Sequence, residues 1–182
     1  MNTSIIRYIL GHIIKLEGFF MLLPCVIAII FNEKELFTYL AIAVVCILLG
    51  SVLTLKKAKD NVFYLKAGCI ATSLSWILLS FFGALPFVLT GEIPHFTDAM
   101  FETVSGFTTT GASILSDVEA LSHTSLFWRS FTHWVGGMGV LVFLVSILSL
   151  ADGGNVHLIK AESTGPAVSK LVPKVKSSAK IF

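Results

Sequence analysis

The chain has 182 residues, of which 55% are hydrophobic and only 13% charged, with a mean hydropathy of +0.87 and a formal net charge of +2. Soluble domains carry about 25% charged residues, so this composition excludes an ordinary globular domain and fits an integral membrane protein whose main partner is the lipid bilayer. The near-neutral balance gives no reason to expect a nucleic-acid partner, and the three cysteines (Cys25, Cys46, Cys69) lie in apolar segments without metal-ligand spacing, as packing or lipid-facing residues do.

In chain order, Ile5 to Phe31 reads as one long helix, with Arg7, His12, Lys15 and Glu17 near its start and Pro24 as a point of kinking. The charge-free part is shorter than the ~20 residues a span needs, so the crossing recruits residues from Ile9 onward and Lys15 snorkels to the interface. No small-residue cleavage site follows, and the segment is expected to be a retained span rather than a leader. A polar turn, Asn32-Glu33-Lys34-Glu35, leads to a second span from Leu36 to Leu55. A basic connector with Lys56, Lys57, Lys59 and Lys66 precedes a third span, Ala67 to Thr90, stopped by Gly91-Glu92-Ile93-Pro94. Phe127 to Leu150 is a fourth.

Lys and Arg give the orientation. With the N-terminus inside, only Lys34 and Arg129 of the 13 basic residues fall in outer segments, which is the positive-inside bias of a multi-pass protein with a cytoplasmic N-terminus. The acids Glu92, Asp98, Glu102, Asp117 and Glu119 all fall outside. They read either as solvated loop acids or as a mouth whose field attracts cations.

Between the third and fourth spans, the pattern predicts a short helix over Asp98 to Gly106 with Thr97 or Asp98 as N-cap. At ~14 Å it covers about half of the hydrocarbon thickness, and its partly negative C-terminus would favour a cation near the bilayer centre. The chain then returns outward through Thr108-Thr109-Thr110-Gly111-Ala112. Irregular backbone at membrane depth is tolerated only where it is buried in protein or lines a watery cavity. There, main-chain oxygens can replace the hydration shell of an ion. Gly111 supplies the positive φ that lets neighbouring carbonyls turn to one side, and the β-branched threonines stiffen the strand. An ordinary extracellular loop is the bland alternative. A filter needs about four such loops around an axis, and this chain offers one.

In the fourth span, Gly136, Gly137 and Gly139 are expected to admit the close approach of another backbone, while Trp128 and Trp134 suit an outer aromatic belt. Arg129 and His133 share a face. Either could bind an acid such as Glu102, although interfacial anchoring is the simpler reading for Arg129 and a structural hydrogen bond for His133. No H-E-x-x-H or paired-carboxylate spacing supports an enzyme.

The stretch from Phe101 to Ser113 resembles the first filter loop of the Trk-type potassium uptake membrane subunit, in the Trk/Ktr/HKT superfamily of cation transporters. Trp128 to Gly139 is similar to the helix that follows it, and Ala161 to Pro166 with Lys170 to Pro173 to the connector toward a second repeat. The resemblance implies an all-α integral membrane protein. Its parts would be two N-terminal transmembrane helices (residues 1–60), one helix–pore loop–helix unit of a potassium-channel-like fold (61–156) and a cytoplasmic connector (157–182). It implies potassium uptake across the cytoplasmic membrane, with Thr108, Thr109, Thr110, Gly111 and Ala112 as the K+ filter contribution and no organic cofactor. It also implies a homodimer of the full-length subunit and a peripheral cytoplasmic nucleotide-binding regulatory subunit. Only the first of four repeats is recognised, so the chain is expected not to conduct alone; a truncated, non-conducting membrane partner of other transporter subunits is the alternative.

Overall fold

Long apolar stretches broken by short polar turns can satisfy their backbone in a membrane only as helices or closed barrels, and here they are helices. The computed structural model describes the backbone of residues 3–55 and 65–151, and the side chains of residues 3–55 and 68–139. Six helices follow one another, α1 (Thr3–Phe20), α2 (Leu22–Phe31), α3 (Leu36–Thr54), α4 (Leu65–Thr90), α5 (Phe96–Phe107) and α6 (His123–Ala151), and no strand occurs among the described residues. The chain is an all-α protein, and among the described residues three segments, Thr3–Phe31, Leu36–Thr54 and Gly68–Thr90, are long and apolar enough to cross a membrane. The residues of α6 number 29, or ~44 Å at 1.5 Å per residue. Most of the basic connector and the whole C-terminal tail lie outside the described residues.

The first crossing is not one unbroken helix. It is interrupted at Met21, between α1 and α2. The proline ring at Pro24 clashes with the carbonyl four residues back, which is that of Phe20, so the break falls where α1 ends. The α2 helix then stops in a left-handed residue, Asn32 (φ 54°), whose N–H reaches Ile29 O while Glu33 N–H reaches Ala28 O. That pair of bonds reverses the chain into α3. Lys15 is half-buried and donates from Nζ to Oγ1 of Thr54, the last residue of α3, at 3.3 Å.

Two compact units are present, Met1–Gly137 and Met138–Phe182. Among the described residues the second holds the C-terminal half of α6. In the first, α1 lies along α3 with hardly any side chain between them. A carbon added at Gly18 would stand 2.8 Å from the Ala43 carbonyl oxygen, and one at Gly11 would stand 3.1 Å from that of Gly50. Both pairs are seven residues apart on each helix, so one small-residue seam runs through two turns. The core beside it is built by Met21, Tyr39, Phe87 and Trp128. Glu17 is fully buried, and neither carboxyl oxygen has a hydrogen-bond partner among the described residues. A carbon at Gly83 on α4 would stand 3.4 Å from its Oε1. An ionisable group left so at membrane depth is costly.

Candidate ion-filter loop

The short helix before the loop is longer than its expected bounds of Asp98 to Gly106, running from Phe96 to Phe107. Its twelve residues give ~18 Å, still well short of the ~30 Å hydrocarbon core. The N-cap is neither Thr97 nor Asp98. It is His95, extended at φ −86° and ψ 123°, with no side-chain cap bond; its carbonyl accepts from the N–H groups of Asp98 and Ala99. Phe96 meets the ring of Phe81 on α4, centroids 5.7 Å apart, and this tertiary contact accompanies the extra first turn.

The helix ends by turning left-handed at Thr109 (φ 56°). Thr109 N–H donates to Gly106 O at 2.9 Å and Thr110 N–H to Ser105 O at 3.0 Å. These bonds form the paired closure common at helix C-termini, usually with glycine at the left-handed position. A β-branched residue there is a genuine outlier, and backbone of this kind costs of order 1–3 kcal/mol and clusters at functional sites. Side chains hold the turn in place. Thr108 Oγ1 bonds Val104 O at 2.7 Å and lies 2.8 Å from Thr110 Oγ1, and Thr109 Oγ1 donates to Thr108 O at 2.7 Å. Gly111 is the second left-handed residue of the loop (φ 76°), with open space where a side chain would stand. Ser105 Oγ donates to Ala112 O. Thr108, Thr109, Thr110, Gly111 and Ala112 are all exposed. Two left-handed residues in five make consecutive carbonyls leave the alternation of a regular strand.

Behind the loop sits Glu102, 1% exposed. Its carboxylate accepts from Ser113 Oγ at 3.0 Å, from Ile114 N–H at 3.0 Å, and from Arg129 Nε on α6. Arg129 therefore ties the loop to α6 through Glu102, the acid partner open to it in the sequence. A charge-assisted pair of this kind is stronger than neutral hydrogen bonds. His133 Nδ1 lies 2.9 Å from the Arg129 carbonyl, the structural bond expected for it. Gly106 and Gly136 bring α5 and α6 together: a carbon at Gly136 would strike the Phe107 carbonyl, and one at Gly106 the Thr132 hydroxyl. The expected close approach at the α6 glycines is thus made by Gly136. Trp128, expected in an outer belt, is 1% exposed and donates from Nε1 to Gly83 O at 3.0 Å; Trp134 is 57% exposed.

The acids expected outside have partners of their own. Glu92 Oε1 accepts from Ser122 N–H at 2.6 Å and Asp117 from Glu119 N–H at 3.0 Å. Sequence reading overlooked Glu33, which closes the start of α6. Its carboxylate accepts from the N–H groups of His123 and Thr124, each at 2.9 Å, and from Thr124 Oγ1. Burial would push the Glu33 carboxyl up, but the side-chain and backbone bonds from Thr124 and His123 outweigh it and hold it at about 2, below its ordinary 4.5. An acid in a turn 90 residues before a helix start leaves no periodic mark; only its negative charge suits an N-terminus.

Among the described residues no group of three or more His, Cys, Asp or Glu is placed to hold a metal ion. Any cation ligands in this loop would be main-chain and hydroxyl oxygens.

Comparison with known proteins shows the family. Residues 36–182 match the family model for TrkH, described as a cation transport protein. The chain is 38% identical over 151 residues to an uncharacterized cation transporter of Methanocaldococcus jannaschii, covering 83% of this chain and 31% of the relative. It is 36% identical over 187 residues to the Trk system potassium uptake protein TrkG of Escherichia coli, covering 99% of this chain and 38% of the relative. The crystal structure of the potassium transporter TrkH from Vibrio parahaemolyticus superposes with a TM-score of 0.78 at 26% identity, covering all of this chain and 36% of that one. The chain thus spans well under half the length of these relatives. With four fifths of its length inside the family model, the chain belongs to the TrkH family of cation transport proteins.

Proposed function

We propose that this chain supplies one quarter of a potassium pathway, a helix–pore loop–helix unit at 61–156 preceded by a helix pair at 1–60, in a potassium uptake subunit. The carbonyls of Thr108, Thr109, Thr110, Gly111 and Ala112 are its ion ligands, with K+ the transported ion. The observation that carries the reading is the pairing of two left-handed residues, Thr109 and Gly111, directly after a helix of about half the membrane's thickness. The strain at Thr109 has no evident use in a plain surface loop, whereas a row of re-aimed oxygens suits a bare alkali ion. The printed names of the relatives, potassium uptake protein and potassium transporter, support the choice of ion. Transport of this kind makes and breaks no bond. The driving force is voltage and concentration gradient, and the protein's part is electrostatic coordination.

The same reading takes the complete subunit to be a homodimer in the cytoplasmic membrane, N-terminus inside. It would be gated by a peripheral nucleotide-binding subunit, with residues 157–182 leading to the next repeat. The test is Gly111→Ser in the complete subunit. An L-residue at a left-handed position costs about 1–2 kcal/mol and nothing stands where its Cβ would go, so the loop should persist with its oxygens displaced. Rubidium uptake in a host lacking potassium transport should then lose discrimination against sodium. Unchanged selectivity would count against these five residues as ligands.

A further inference from the structure

Glu17 is a buried acid that the filter reading leaves unused. It is 0% exposed, and neither carboxyl oxygen has a hydrogen-bond partner among the described residues. On α3 the titratable group that senses its charge is Cys46, and a thiol offers no positive charge in return. A carbon added at Gly83 on α4 would stand 3.4 Å from Glu17 Oε1, 3.1 Å from Phe107 Cε2 and 2.8 Å from Thr103 Cγ2. The carboxyl and the last turns of α5 therefore share the space over one glycine. The polar groups of the surrounding helices are engaged elsewhere. Thr103 Oγ1 donates to Ala99 O at 2.7 Å, and Trp128 Nε1 donates to Gly83 O. Lys15, on the same helix, reaches Thr54, and Arg129 on α6 is held by Glu102.

An ionised carboxylate shut away without a partner is far less stable than the same group neutralised. A metal ion would need several further ligands, and among the described residues no group of three or more His, Cys, Asp or Glu is placed to hold one. At 0% exposure, neither bulk water nor a side chain from another segment reaches the carboxyl without parting α1 from its neighbours. A proton needs neither room nor further ligands. We propose that Glu17 is a proton-binding site, its carboxyl carrying a proton in the folded protein and ionising only when the contact of α1 with α4 over Gly83 opens to water. Phe107, the last residue of α5, lies over the same glycine, so that opening also loosens the turn from which the Thr108 to Ala112 loop departs. The inference stands apart from the assignment of the filter, which uses other residues.

The test is infrared difference spectroscopy of the complete subunit in detergent at neutral pH, the unmodified protein against Glu17→Gln and Glu17→Met, two neutral side chains of similar size. Both differences should carry the carbonyl band of a carboxylic acid; the other acids are common to each pair and cancel. Melting temperature supplies the second reading. An unfolded chain ionises this carboxyl above about pH 5, so unfolding releases a proton from the unmodified protein and none from either variant. Relative to both variants the unmodified protein should lose stability as pH rises, by up to about tenfold in its unfolding equilibrium per pH unit. Carboxylate bands in place of the acid band would overturn the proposal, and so would a stability difference that does not change with pH. Failure of both neutral variants to fold would also overturn it, because the site would then require the charge.

Discussion

The α1–α3 seam and the candidate filter loop are joined in opposite ways. Along the seam, Gly11 meets Gly50 and Gly18 meets Ala43, with backbones in contact and no polar side chain at those four positions. In a membrane, where apolar side chains gain nothing by leaving lipid, such close packing is a main source of helix association. Around the loop the fit comes from named polar bonds. Glu102 collects three donors, Ser105 and Thr108 reach carbonyls across the turn, and two residues stay left-handed at a cost. The seam needs only smallness, and many sequences would supply it. The loop needs particular oxygens at particular places.

The comparison predicts different failures. Glu102→Ala should be the most damaging change, because it strands the half-buried Arg129 and frees Ser113 and Ile114. Breaking a buried pair by removing one partner costs about 3–5 kcal/mol. In the complete subunit both rubidium uptake and thermal stability should collapse, and Glu102→Gln should recover part of the stability but not the uptake. Gly50→Val should cost about 1–3 kcal/mol of stability through overpacking against Gly11 and Lys15. Molecules that still fold should keep their ion selectivity; a seam variant that folds yet loses discrimination between potassium and sodium would erase the contrast drawn here.

The smallest effect concerns pH. Because the Glu33 carboxyl is lowered from 4.5 to about 2, its bonds to the start of α6 add stability that is fully present above the ordinary value. That stability is lost as pH falls through the window from 4.5 to about 2. Thermal unfolding of the native protein and Glu33→Gln should therefore differ by a constant amount above pH 5 and converge toward pH 2. A difference that stays constant through that window would remove Glu33 from its capping role.

Much of this was legible from residue order alone, and the exceptions share a cause. The spans follow from runs of apolar residues, and the half-length helix from its place between Pro94 and Gly106, since local composition decides them. The break at Met21 follows from Pro24 once the reach of the proline ring to Phe20 is considered. What residue order hid are contacts between distant residues. Trp128 looks like a belt residue until Gly83 O is found beside it. Glu33 looks like a turn acid until α6 arrives. Thr109 carries no chemical sign of a left-handed backbone, because its conformation is imposed by the carbonyls of Ser105 and Gly106 and is unlike threonine's own preference. Arg129 fell between these cases: spacing put it on a face with His133, but only geometry chose Glu102 as its partner.

The central claim is that the main-chain oxygens from Thr108 to Ala112 hold the ion. Anomalous diffraction from crystals of the complete subunit soaked in thallium or rubidium tests it directly. The account predicts a peak on the pore axis within coordination distance of carbonyls in that stretch, weakened in Gly111→Ser. Ion density confined to other oxygens, with these five residues facing away from it, would contradict it.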